Sequence, residues 1–83
     1  MNDDVNPILN HDLYARAESA ARAVYETCTQ AHTPPARRMR LMDKAARDVL
    51  RQAGTPYADA HFYACSISAD VLEAAPRSQA APA

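Results

Sequence analysis

The sequence predicts an all-α fold, a three-helix bundle whose helices run up-down-up in antiparallel order. The 83 residues include one glycine and no tryptophan, while alanine recurs through most of the chain. Alanine favours helix more than any other residue and glycine disfavours it, so the composition indicates helices. The expected connections are two or three residues long, which makes neighbouring helices antiparallel. We expect one helical domain over residues 1–75, followed by a disordered tail, 76–83, that contains proline and small residues without periodicity.

Three dipeptides mark where the helices are expected to begin. Asn6–Pro7, Thr33–Pro34 and Thr55–Pro56 each place a residue type that caps helices before a proline. Proline suits the first helical position because the N–H that it lacks would have no partner within the helix. Gly54 stands where a left-handed residue would close the second helix. These signals predict three helices, over residues of about 7–31, 34–53 and 56–75.

The first two expected helices are amphipathic, with apolar residues recurring at intervals of three and four. The expected core face of the first helix is Leu9, Leu13, Ala17, Ala20, Val24, Cys28 and Ala31. The expected core face of the second helix is Met39, Met42, Ala46, Val49, Leu50 and Ala53. Each of these helices therefore has one face to bury against its neighbours.

The third expected helix is apolar on more than one side. Its expected core face is Tyr57, Ala60, Ala64, Ile67, Val71 and Ala75. A second apolar row, which we call the apolar strip, lies beside that face and comprises Ala58, Phe62, Cys65, Ala69 and Leu72. Two neighbouring helices cannot cover both faces, so the apolar strip is a candidate protein-binding surface for a partner or for a homodimer.

Positive charge is concentrated in the second expected helix. Residues 33–54 carry a net charge of +4, whereas the segments before and after them carry −3 and −2. Five of the bases recur at helical spacing and form one row, the basic stripe, of Arg37, Arg40, Lys44, Arg47 and Arg51. Because this row lies nearly opposite the core face of its helix, we expect it to face outward.

The basic stripe has three interpretations. The first is a solvated helix face, with ion pairs Asp43–Arg47 and Lys44–Asp48 at a spacing of four residues. The second is a surface that binds an acidic protein. The third is a surface that contacts the phosphates of a nucleic acid. Arginine predominates, and its planar guanidinium suits carboxylate and phosphate equally. Residue type therefore does not separate the last two interpretations.

A helix-turn-helix arrangement of the second and third helices is the rival to the simple bundle. Its recognition helix would begin near Tyr57 and would present no Arg, Lys, Asn or Gln to base edges. Asp59, near the start of that helix, would also repel phosphates. We therefore expect no sequence-specific DNA reading by the third helix, and only nonspecific phosphate contact remains open to the basic stripe.

Two pairs of residues have the spacing of metal ligands on a helix. Cys28 precedes His32 by four residues, and His61 precedes Cys65 by four. In an up-down-up bundle the two pairs lie near opposite ends, about 20 Å apart, so we expect no metal and no cofactor. Neither pair has a third orienting group, and a chain with one glycine has no glycine-rich phosphate loop. We therefore do not expect an enzyme.

The remaining features concern location and function. The acidic N-terminus does not resemble a secretory signal, and no apolar run is long enough to span a membrane. Two cysteines suit reduced cytoplasmic thiols, and the preference for arginine over lysine is typical of GC-rich bacteria and their phages. The sequence favours a protein that acts by protein–protein interaction, such as an adaptor or a phage- or plasmid-type inhibitor of a host complex. The alternative is a nucleic-acid-associated regulator that contacts phosphates through the basic stripe.

Overall fold

The computed structural model describes residues 11–75. These residues form three helices that pack into a bundle, and no strand occurs among them, which confirms the expected fold class. The helices are α1 (His11–Gln30), α2 (Pro35–Gln52) and α3 (Tyr57–Ala74). The expected start of the first helix near residue 7, the Asn6–Pro7 signal, the core residue Leu9 and the expected tail 76–83 lie outside the described residues.

Helices α1 and α2 run antiparallel. Cys28, near the end of α1, lies beside Leu41, near the start of α2, in one surface groove. Arg16, in the first half of α1, lies beside Ala53, which follows the last residue of α2. This reversed order of neighbours is the one expected from the short connection.

Helices α2 and α3 are also antiparallel. Asp43, in the first half of α2, bonds to Ser68 in the second half of α3. Arg51, at the end of α2, lies over the ring of Tyr57 at the start of α3. Helix α3 meets α1 through its C-terminal half, where the Tyr14 hydroxyl donates a hydrogen bond of 3.1 Å to Asp70.

Helix α2 ends in a Schellman motif closed by Gly54. The Gly54 N–H donates to the carbonyl of Arg51, and the Thr55 N–H donates to the carbonyl of Leu50, both at 3.0 Å. Gly54 has a φ of 98°, in the left-handed region that glycine enters without steric cost. The expected left-handed closure at this residue is confirmed.

Helix α1 ends in the same motif, with a histidine in the glycine's place. The His32 N–H donates to Thr29 at 3.2 Å, and the Thr33 N–H donates to Cys28 at 2.9 Å. His32 has a φ of 59°, which strains any residue with a side chain. The two turns therefore have the same hydrogen-bond pattern. The turn at His32 has a steric strain energy in its backbone that the turn at Gly54 does not have.

The proposed threonine caps are wrong. Helices α2 and α3 each have a proline at the N-cap position, Pro34 and Pro56, and neither cap has a side-chain hydrogen bond. Thr33 and Thr55 instead use their backbone N–H groups to close the preceding helices. Thr55 is 1% exposed, and its hydroxyl is buried without a hydrogen-bond partner. Thr33 and Thr55 thus belong to the ends of α1 and α2 rather than to the starts of α2 and α3.

The core combines a few large side chains with many alanines. The largest apolar side chains that are almost completely buried are Met42, Leu50, Ile67 and Val71. The alanines with no exposed surface are Ala17, Ala21, Ala46, Ala60 and Ala64. Because an alanine side chain is short, these positions let the helix backbones approach closely, and the larger side chains fill the space between them.

Some residues that the helical period assigned to core faces are exposed instead. These are Ala31, Met39, Ala53 and Tyr57. Ala31 and Ala53 lie just beyond the ends of α1 and α2, and Tyr57 is the first residue of α3. Met39 lies in the second turn of α2 and is 36% exposed. Ala20, Val24, Val49 and Ala75 are half-buried, which leaves the tightly packed core in the middle of the bundle.

Candidate protein-binding surface

The apolar strip lies on the surface of α3 and is shorter than expected. Phe62 is its largest member and is 64% exposed. Ala58, Cys65 and Ala69 are exposed beside it. Leu72 is the exception, because it is half-buried and packs against the core. The exposed part of the strip therefore centres on one phenylalanine among small residues.

Most of the basic stripe faces outward from α2. Arg37, Arg40, Lys44 and Arg51 are exposed, whereas Arg47 is half-buried. Of the two ion pairs considered for this helix, Lys44 pairs with Asp48 at 2.8 Å. Both side chains of that pair are largely exposed, so the pair contributes less than about 1 kcal/mol to stability.

Asp43 is directed toward α3 rather than along α2. Its Oδ1 atom accepts a hydrogen bond from the Ser68 hydroxyl at 2.5 Å. Its Oδ2 atom lies 4.0 Å from the Sγ atom of Cys65. Ser68 is fully buried, and the large majority of buried side-chain polar atoms have a hydrogen-bond partner, which Asp43 supplies here. Asp43 is thus a structural residue at the α2–α3 contact rather than a partner for the basic stripe.

Tyr57 joins the basic stripe to α3. The guanidinium carbons of Arg47 and Arg51 lie 5.8 Å and 6.0 Å from the centre of its ring. His61, one turn further along α3, stacks on the same ring with a centroid separation of 6.2 Å and an angle of 12°. Tyr57 is 58% exposed, although its helical position predicted burial. At the surface, its ring therefore contacts two guanidinium groups from α2 and one imidazole from α3.

Cys65 lies where the two helices meet at this surface. Its Sγ atom is 3.9 Å from the Nε2 atom of His61 and 4.0 Å from Asp43. Partial desolvation raises the pKa of the Cys65 thiol, the charge of Asp43 raises it further, and Arg47 partly offsets both. A raised pKa keeps the sulfur in the thiol form, which is a poor nucleophile.

The apolar strip and part of the basic stripe therefore form one continuous surface. We call it the α2/α3 face and define it by Arg47, Arg51, Tyr57, Phe62 and Cys65, with the exposed Ala58 and Ala69 beside them. The sequence predicted the strip and the stripe as separate features. Tyr57, which connects them, was missed because helical spacing alone assigned it to the core.

An acidic edge borders the apolar strip on the side away from α2. Asp59, Ser66 and Glu73 are exposed there. Asp70 lies on the same edge and accepts the hydrogen bond from Tyr14 of α1. The strip is thus flanked by arginines on the α2 side and by carboxylates on the α1 side.

The two cysteine–histidine pairs do not come together. Cys28 is buried beside the α1–α2 groove, and His32 is exposed at the turn after α1. His61 and Cys65 lie on the other side of α2, at its contact with α3. Within residues 11–75, no group of three or more His, Cys, Asp and Glu side chains is arranged to hold a metal ion.

An apolar groove lies between α1 and α2. It is an open groove of about 450 Å³. Val24, Leu41 and Ala45 line it together with the buried Cys28, and the Lys44–Asp48 ion pair borders it. Leu41 is its most prominent apolar side chain and is only 36% exposed. Leu41 in this groove is thus less exposed than Phe62 on the α2/α3 face.

Comparisons with protein-family models, with curated proteins and with solved structures found no match. None of the described helices combines the length and the hydropathy needed to cross a lipid bilayer.

Proposed function

We propose that this chain is a small, non-enzymatic cytoplasmic protein that acts by binding another protein through the α2/α3 face. The observation that carries the proposal is the exposure of Phe62, which is 64% exposed in the second turn of α3. Burying a phenylalanine fully is worth about 1.5–3 kcal/mol, so a partner that covers Phe62 would gain part of this energy on binding. An adaptor or an inhibitor of a host complex would use such a surface.

The residues around Phe62 support protein recognition. Tyrosine and arginine, together with tryptophan, are enriched among residues that dominate binding energy at protein interfaces. Tyr57 contacts His61 and the two arginines of the α2/α3 face, and the ring of Phe62 lies 5.3 Å from that of Tyr63 in an edge-on arrangement. Side chains that are ordered before binding lose less conformational entropy when a partner arrives.

Phosphate contact through the basic stripe has weaker support. Lys44 is already paired with Asp48, and Arg47 and Arg51 lie over Tyr57. Asp59 and Glu73, both exposed on α3, add negative charge that would repel a duplex lying across the α2/α3 face. Neutralising about four phosphates would produce a log–log salt slope near −3.6, and binding that steep is weak at physiological salt.

The phosphate alternative is tested by fluorescence anisotropy with random-sequence duplex DNA. We expect no submicromolar binding at physiological salt. Submicromolar binding that is lost in Arg40→Glu/Arg47→Glu would establish the alternative and remove the protein-binding proposal as the main function.

The proposal itself is tested by affinity capture from a nuclease-treated extract of the native host. Wild-type protein is compared with Phe62→Glu, which places a charge at the most exposed large apolar side chain of the α2/α3 face. The matched control is Leu41→Glu, which charges a less exposed apolar residue on another surface. We expect wild type and Leu41→Glu to retain the same partner and Phe62→Glu to lose it. Equal capture by all three proteins would overturn the proposed surface.

A further inference from the structure

Resting on the proposed function, we propose that the α2/α3 face binds a second copy of this chain. The two α3 helices would lie side by side, parallel and in register, related by a two-fold axis along the helix direction. Phe62 of each copy would then meet Phe62 of the other. The small neighbours Ala58 and Ala69 would allow the two helices to approach closely, as alanines do in the core.

Charge complementarity is the reason for choosing a second copy. One edge of the apolar strip carries Arg47 and Arg51, which reach over Tyr57 from α2. The opposite edge carries the exposed carboxylates Asp59 and Glu73. A surface with an apolar centre, one basic edge and one acidic edge is complementary to itself, because a two-fold related copy can present its acidic edge to the first copy's basic edge.

The same charges select the parallel orientation. A two-fold axis along α3 exchanges left and right but keeps the helix direction, so each basic edge faces an acidic edge. A two-fold axis that lies within the interface and perpendicular to α3 reverses the helix direction. It leaves the basic edge of each copy on the same side of the interface, so the two basic edges face each other. Like charges at an interface cost binding energy, so the antiparallel arrangement is disfavoured.

The heights of the charges along the helix also match. Arg47 and Arg51 lie beside Tyr57, the first residue of α3. Asp59 lies in the first turn of the same helix. In a parallel, in-register pair, Asp59 of one copy is therefore level with the two arginines of the other, and this contact occurs twice.

Sedimentation velocity over a wide concentration range tests whether the chain pairs with itself. We expect a reversible monomer–dimer equilibrium with a Kd in the micromolar range, because the apolar centre is small. Phe62→Glu is expected to raise the Kd at least about tenfold, and the control Leu41→Glu is expected to leave it unchanged. Helical circular dichroism of each variant shows that the fold is retained.

Cysteine cross-linking tests the orientation. Ala58→Cys is made in a Cys65→Ser background, and the exposed thiols are joined with a short bismaleimide. A parallel pair brings residue 58 next to its own copy and gives a covalent dimer. An antiparallel pair that overlapped along the whole of α3 would bring residue 58 close to residue 73 instead, so that only a mixture of the Ala58→Cys and Glu73→Cys proteins would cross-link efficiently.

Charge reversal tests the edges. Asp59→Arg and Arg51→Glu, made singly, are each expected to weaken the dimer several-fold, and the combined variant is expected to recover most of the loss. Recovery would show that Asp59 and Arg51 lie close together in the dimer. Because they lie on opposite edges of the apolar strip within one chain, this contact must form between the two copies. Wild-type protein that remains monomeric at high micromolar concentration would overturn the inference. Phe62-dependent capture of a different protein would leave the proposed function in place.

Discussion

Ser68 of α3 donates a hydrogen bond to the Oδ1 atom of Asp43 on α2, and this contact joins the two helices beneath the α2/α3 face. Ser68 has no exposed surface, whereas Asp43 is half-buried. A buried hydroxyl that donates to a carboxylate forms a stronger hydrogen bond than a neutral pair. The bond therefore helps to fix the position of α3 relative to α2.

Removing this hydroxyl should destabilise the bundle. Hydrogen bonds to charged groups contribute about 1.5–3 kcal/mol, although partial access of water to Asp43 favours the lower end for Ser68→Ala. The matched control is Ser66→Ala, which changes an exposed serine on the same helix and is expected to alter stability by less than about 0.5 kcal/mol. Urea denaturation followed by circular dichroism measures both, and equal stabilities for the two variants would show that the bond is energetically unimportant.

The two helix-closing turns predict opposite effects of glycine. His32 and Gly54 occupy the same position in equivalent Schellman motifs, with φ values of 59° and 98°. His32→Gly removes backbone strain and is expected to stabilise the protein by about 1 kcal/mol. Gly54→Ala is expected to destabilise it by about 1 kcal/mol through backbone strain alone, because a Cβ at this position meets no atom within 4 Å. Thermal unfolding of both variants checks the pair, and a shift in the same direction for both would contradict the explanation.

The alanine-rich core predicts intolerance of larger residues. Ala17 has no exposed surface, so Ala17→Leu must push α1 away from its neighbours and is expected to cost about 1–3 kcal/mol. Ala15→Leu makes the same chemical change at an exposed position of α1 and is expected to be nearly neutral. Denaturant midpoints of the two variants separate packing from helix propensity. Similar midpoints would mean that the helices are not closely packed at Ala17.

Stability is expected to fall at alkaline pH because of Tyr14 and Cys65. Desolvation raises the pKa of the Tyr14 hydroxyl, and its hydrogen bond to Asp70 and the charges of Asp70 and Glu18 raise it further. The pKa of Cys65 is raised by desolvation and by Asp43. The folded state thus holds both protons more tightly than the unfolded chain.

That difference fixes the direction of the pH dependence. The ordinary pKa values are 9.0 for cysteine and 10.0 for tyrosine, so the contribution to stability is complete below about pH 9. It is lost as the pH rises through the raised folded-state values. Melting temperatures between pH 8 and pH 11 should fall less steeply in Tyr14→Phe/Cys65→Ser than in wild type. An identical slope in the two proteins would show that neither group contributes.

The helices could be predicted from the sequence because their signals are local. Proline and glycine act on their own backbone, and apolar spacing reports the buried face of a single helix. The central core positions Met42, Leu50, Ile67 and Val71 follow from that spacing. Thr33 and Thr55 were misassigned because a threonine before proline can end one helix as readily as begin the next, and the choice depends on the left-handed residue before it.

The α2/α3 face could be predicted only in parts. Its phenylalanine and its arginines follow from the helical period, but their proximity depends on how α2 and α3 are aligned. Tyr57 was assigned to the core because the period does not show that α2 ends beside it. Leu72 was assigned to the exposed strip because the period does not show which flank of α3 its neighbours cover. The contacts between helices therefore determine which of these side chains are buried, and the spacing of apolar residues in the sequence does not show those contacts.

The alkylation rate of Cys65 is the most direct measure of whether protein covers the α2/α3 face. Cys65 is exposed on that face, while Cys28 is buried and serves as an internal reference. The rate is measured with a maleimide and mass spectrometry at one pH, in dilute purified protein, in concentrated purified protein and in nuclease-treated host extract. We expect modification of Cys65 in wild type to be slower in at least one of the last two conditions than in dilute protein. In Phe62→Glu we expect a single rate of modification in all three conditions. Equal rates for wild type in all three conditions would contradict protein recognition by this face.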